Sequence, residues 1–169
     1  MERKKKMYNP TYHEENEAKD DELFEEFVND THYFKTYNRN AQYSALDYSA
    51  TDVKGRGCSI ELKRRNFPYT KYGTTFCECE KGWLMINRHE QFGYIPLFIN
   101  FFSDDSILIF DLRNIKQPDK ELIYKRVTIM NHGYEEKQKV WRIELPNTMA
   151  ILFKKINGHW VWIRDKEIV

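Results

Sequence analysis

The residues in this chain of 169 whose types and spacing suit them to chemistry are Asp47, Glu61 and Lys63. They fall in two runs that alternate small or polar with apolar residues, 43–51 and 58–65, separated by a turn that contains Gly55. If Val53, Lys54 and Gly55 form a three-residue loop with Gly55 in the left-handed conformation, Asp52 lies opposite Arg56 and Asp47 opposite Glu61. Directly opposed residues of an antiparallel pair share a face, and Lys63, two positions beyond Glu61, joins them there. Leu46, Tyr48, Ala50, Ile60 and Leu62 then turn together to the other face. A two-residue loop at Lys54-Gly55 would set Asp47 opposite Leu62 and mix the faces, so the apolar pattern selects the first register.

Two carboxylates held side by side repel, and at least one has a raised pKa unless a cation neutralises them. An oxygen-only pair of this kind suits Mg²⁺ or Mn²⁺, with Asp47 and Glu61 as the metal ligands and with waters and phosphate oxygens filling the other positions. Lys63 beside them orients or activates a water and stabilises charge at a phosphorus under attack. Arg64 and Arg65 follow directly, and their guanidinium forks match flanking phosphates. The tripeptide alone carries little, because Glu2, Glu17, Asp52 and Glu135 also stand two residues before a lysine. Only Glu61 lies in a candidate strand with an acidic partner on the preceding one. A salt-bridged surface hairpin uses the same residue types, and that reading stays open on these grounds.

The elements that position this set are legible in part. Asp20 or Asp21 caps a helix running to about Phe34, since Leu23, Phe24, Phe27, Val28, Thr31 and Phe34 recur at helical spacing. Residues 1–18 are polar and aperiodic, which predicts a flexible N-terminal arm before a single domain over 19–169. Residues 76–87 read ambiguously, as a short helix broken near Gly82. Residues 94–102 and 106–112 are strongly apolar and predict a buried antiparallel pair at the centre of a sheet. Further strands are expected over 122–130, 140–145 and 160–163, with a short helix beginning at Asn147.

The chain is 41% hydrophobic and 31% charged with a net charge of +1, a composition that builds a core but no uniformly basic coat. Three cysteines, Cys58, Cys77 and Cys79, are an odd and sparse set that argues against a disulfide framework, and Cys77-x-Cys79 lacks the second pair of a zinc finger. No apolar run reaches the ~18–20 residues of a membrane span, so the expectation is a cytoplasmic, intracellular protein without a membrane partner. Tyr69, Tyr72 and Trp83 lie near the basic 63–65 segment and are suited to stacking on unpaired bases. Phe98, Phe101, Phe102 and Phe110 read as core.

A helix followed by a hairpin that bears an aspartate on one strand and Glu-x-Lys on the next resembles the PD-(D/E)XK nuclease superfamily. That family includes restriction endonucleases, Holliday junction resolvases and small phage nucleases. The resemblance covers residues 20–112; Asp47 matches the family aspartate, Glu61 the second metal ligand and Lys63 the catalytic lysine. Leu46 stands where many members have proline, and the strands after Asp111 are additional to the family core. The resemblance implies an α/β (α+β mixed sheet) fold, a restriction-endonuclease-like core with an N-terminal helix and extra C-terminal strands. It further implies a Mg²⁺- or Mn²⁺-dependent DNA endonuclease, a homodimer where both strands of a duplex are cut, and a setting such as a phage-infected host cell. Glu80 or Lys81 falls where members often place an auxiliary polar residue on a helix. The competing expectation is a non-catalytic nucleic-acid-binding or protein-interaction module of similar fold.

Overall fold

The computed structural model describes residues 10–41, 44–115, 125–130 and 137–164. Helix α1 spans Pro10–Thr31. It begins well before the expected cap at Asp20 or Asp21, so residues 10–18, expected in the arm, are its first turns. The reason is local: a run rich in glutamate with Ala18 and Lys19 favours helix, and proline suits a first helical position. The helix stops at Thr31, whose hydroxyl donates to Phe27 O at 2.7 Å, and His32 follows with φ 51°. The apolar spacing that carried the reading on to Phe34 had crossed into a strand, β1 (Phe34–Arg39).

Strand β2 (Tyr48–Asp52) pairs antiparallel with β1, and β3 (Gly57–Arg64) pairs antiparallel with β2. Strand β4 (Thr74–Glu78) leaves it, and helix α2 (Cys79–Phe92) crosses back so that β5 (Ile95–Phe101) pairs parallel with β3. Strand β6 (Ser106–Asp111) returns antiparallel to β5, as expected for the central apolar pair. Strands β7 (Lys125–Met130) and β8 (Lys137–Pro146) join β4 in a three-stranded sheet of order β4-β8-β7. Strands β9 (Ile151–Ile156) and β10 (His159–Ile163) complete the larger sheet, whose order is β1-β2-β3-β5-β6-β9-β10. Residues 122–124 of the expected strand over 122–130 lie outside the described residues. The helix expected from Asn147 is a single 3₁₀ turn, Asn147–Met149.

The fold is thus a mixed α/β sheet with a helix on each face. Phe24, Phe27 and Val28 of α1 pack on one face, against Ile60, Leu62, Ile99 and Phe153. Met85 and Ile86 of α2 join Phe98, Leu108 and Phe110 on the other, together with Ile143 and Leu145 of β8. Every residue of β5 is buried, as a central strand covered on both faces requires. Residues 76–87 are the end of β4 and an unbroken α2 rather than a helix interrupted at Gly82. Gly82 is a packing residue, since a Cβ there would lie 2.6 Å from Ile143 Cδ1.

Candidate functional site

The hairpin between β2 and β3 turns as the apolar pattern expected. Asp52 N donates to Arg56 O at 2.9 Å, Gly55 N donates to Asp52 O at 3.0 Å, and Gly55 has φ 81°. Tyr48 pairs with Ile60 and Thr51 with Gly57, the register whose next step sets Asp47 against Glu61. The regular ladder ends at Tyr48. Asp47 N donates to Ile60 O at 3.1 Å, and its side-chain Oδ2 accepts from Leu62 N at 2.8 Å. A side chain has therefore replaced the backbone as the acceptor where β2 peels away from β3, fixing the Asp47 carboxylate at the edge of the strand that carries Glu61.

Around this pair the charges interleave. Arg39 of β1 donates to Asp47 Oδ1 at 3.2 Å and to Asp21 Oδ2 at 3.1 Å. Tyr48 OH donates to Asp21 Oδ1 at 2.9 Å, which ties α1 to the start of β2. Lys81, in the first turn of α2, lies 3.3 Å from Glu61 Oε2 and also donates to Ala45 O. Lys63 is exposed. The Glu61 side chain is 15% exposed, and its pKa is pushed up to about 7, first by burial and then by the negative charge of Asp47, against the pull of Lys81 and Lys63.

Asp20 of α1 belongs to the same cluster. Burial raises its pKa to about 6; Asp47 and Asp21 add to the rise, while Arg64 and Lys63 oppose it. Among the described residues its Oδ1 is buried with no hydrogen-bond partner, although Arg64 Nε approaches to 3.3 Å. The expected cap at Asp20 or Asp21 is instead interior to α1. The signal that identifies Asp20 is its place four residues before Phe24, a carboxylate on the stripe that α1 turns to the sheet.

The two arginines after Lys63 part company. Arg64 turns to the α1 face, toward Asp20 and Asn16. Arg65 donates to Asn100 Oδ1 at 3.0 Å and to Phe76 O at 2.7 Å, bracing β5 against β4, and burial pushes its pKa down to about 10. Arg65 is thus engaged with β5 and β4 while it also lines the cleft beside Lys63 and Arg64. Glu80 is exposed, whereas Lys81 reaches Glu61, so Lys81 is the member of that pair at the cluster.

The donor chemistry fits a hard divalent cation: the candidate ligands are carboxylate oxygens, and Glu61 is driven toward protonation by burial and then by Asp47, a state that a bound cation would relieve. Among the described residues no group of three His, Cys, Asp or Glu side chains is gathered closely enough to hold an ion. Asp47 and Glu61 would accordingly be the protein ligands, within the one or two carboxylates typical of Mg²⁺.

No protein family and no curated protein matches the chain in sequence. Among solved structures the chain is similar to Hjc, a Holliday junction resolvase from the archaeal hyperthermophile Archaeoglobus fulgidus. The match covers 76% of this chain and 84% of that one, at 13% identity and a TM-score of 0.46.

Proposed function

We propose that this chain is a metal-dependent nuclease that hydrolyses DNA phosphodiester bonds, with Asp47 and Glu61 holding Mg²⁺ or Mn²⁺ and Lys63 as the catalytic cation. The observation that carries the reading is the Asp47 carboxylate locked onto Leu62 N, beside a Glu61 held near neutral pH in its ionisation, with Lys63 one step along the same strand face. A divalent ion at these carboxylates supplies polarisation of the scissile phosphate and a lowered pKa for the attacking water. Lys63, exposed and unburdened by α2, orients that water and stabilises the charge that grows on the phosphoryl oxygens. Arg39 orients the Asp47 carboxylate through its contact with Oδ1. Arg64 and Arg65 both border the same cleft as Lys63, and of the two Arg64 is the one suited to a flanking phosphate, because Arg65 is held by Asn100 and Phe76 O.

Lys81 has two consequences. Its contact with Glu61 balances the carboxylate pair in the absence of a divalent ion, and it must yield when Glu61 takes part in binding one. The same contact favours the second reading, a nucleic-acid-binding module in which the cluster is a closed salt-bridge network. The test is cleavage of plasmid, branched and single-stranded DNA with Mg²⁺, with Mn²⁺ and with EDTA. Glu61→Ala and Lys63→Ala are expected to abolish cleavage and to leave the circular-dichroism spectrum unchanged. Metal-dependent cleavage that survives in either variant overturns the assignment, and binding without any cleavage in the parent protein selects the second reading.

A further inference from the structure

Beside Lys63 lies a cleft of about 680 Å³ whose lining includes Asp20, Lys63, Arg64, Asn66, Phe67 and Phe102. The 66–73 segment between β3 and β4 enters this lining through Asn66 and Phe67, against whose ring Tyr72 and Lys71 pack to form a rim, and that segment is built rather than loose. Asn147, 4% exposed, accepts from Thr75 Oγ1 at 2.8 Å and donates to Tyr69 O at 3.2 Å and to Tyr72 O at 2.8 Å. Asn147 N closes on Gly73 O at 3.0 Å, and Ser103 N donates to Phe67 O at 3.2 Å.

The segment displays alternating aromatic and cationic groups. Phe67 meets Tyr72 edge to face at 5.2 Å and Phe102 at 6.0 Å. The Lys71 ammonium stands over both the Phe67 and Tyr72 rings, at 5.5 and 5.3 Å, and Lys154 stands over Tyr69 at 5.1 Å. Tyr72 is 50% exposed, so its ring serves the core poorly.

Resting on the nuclease reading above, we propose that this rim and cleft take an unpaired nucleotide next to the scissile phosphate, so that the substrate is a strand with a single-stranded or extruded base at the cut. A base inside a duplex is stacked on both faces and has no π-face left to offer an aromatic wall, whereas an unpaired base has two. The phosphates on either side of it find Lys63 and Arg64 at the cleft and Lys71 at the rim. Asp20 is matched by Arg64, and Asp105, also on the lining, turns phosphate away from its side of the mouth. Because Asn147 has already fixed the rim, little ordering cost opposes the stacking.

The test separates binding from cleavage. In EDTA, fluorescence anisotropy compares a blunt DNA duplex, the same duplex with a single-stranded gap, and the gapped duplex with ribonucleotides in the gapped strand. The wild type is expected to prefer the gapped forms, and Lys71→Ala/Tyr72→Ala to lose about 5- to 100-fold on them while changing by less than about twofold on the blunt duplex. Tyr72→Phe, which keeps the ring, is expected to retain the preference. Equal wild-type affinity for blunt and gapped DNA, or an equal loss by the double variant on both, overturns the inference. Preference for the ribonucleotide gap supports it and fixes the sugar. A protein that cleaves with Mg²⁺ but shows no gap preference overturns this inference alone, and one that prefers gaps without cleaving overturns the nuclease reading alone.

Discussion

Glu61 carries the pH behaviour of the cluster. Its folded pKa of about 7 lies above its ordinary value of 4.5, so between those values the folded chain binds more protons than the unfolded chain. The associated stability is complete below about pH 4.5 and is lost as the pH rises through about 7. Thermal melts without metal are therefore expected to fall from pH 5 to pH 8, with a contribution from this group on the order of 1–3 kcal/mol. Divalent metal competes with the proton, so added Mg²⁺ or Mn²⁺ is expected to raise the melting temperature more at pH 8 than at pH 5. Glu61→Gln should flatten the first trend and remove the second. A metal shift of the same size in Glu61→Gln would show that the ion binds elsewhere. Asp20, pushed up to about 6 chiefly by burial, works in the same direction over a lower window.

At the scale of elements, two devices place the chemistry. The first is the Gly55 loop, whose φ of 81° a β-branched residue adopts only with strain. Gly55→Val is expected to cost about 1–2 kcal/mol in urea unfolding and to lower cleavage beyond that loss, because a shifted loop moves Asp47 off Leu62 N. Unchanged cleavage in a destabilised variant would mean that the hairpin register does not position Asp47. The second is Asn147, which joins the 3₁₀ turn after β8 to the rim of the cleft. Asn147→Ala leaves the buried Thr75 hydroxyl and the part-buried Tyr69 and Tyr72 carbonyls without their partner, at a cost of about 1–3 kcal/mol. Limited proteolysis is expected to cut the variant within 66–73 before the parent protein is cut there.

For the molecule as a whole, a net charge of +1 leaves no broad electrostatic field to hold DNA, so binding rests on a few local cations. Lys63, Arg64 and Lys71 border the cleft and its rim, and three phosphate contacts give a slope of log K against log salt of about −2 to −3. A slope near zero would remove these contacts from the account. The homodimer expected for duplex cutting is part of the proposal. The edge strand β10 exposes Val161 and Trp162, 40% and 49% accessible, and sedimentation with and without Trp162→Ala tests whether that edge serves the contact. None of the described helices is long and apolar enough to cross a membrane.

Short-range physics made much of this readable from the chain. A turn glycine and two faces of alternating polarity set the hairpin register, and the apolar runs around β5 and β6 marked the centre of the sheet, because loop length and side-chain period act over a few residues. What tertiary structure decided was the company those residues keep. Arg64 and Arg65 are neighbours in sequence, yet strand alternation sends one to α1 and packing locks the other between Asn100 and Phe76 O. The role of Asp20 depends on how far α1 extends and where it lies on the sheet, and the contact of Lys81 with Glu61 depends on the α2 crossover that brings residues 20 apart within 3.3 Å. Asp47, Glu61 and Lys63 were chosen by the sequence; their counter-ions, their burial and hence the ionisation of Glu61 belong to long-range packing, where no local pattern reaches.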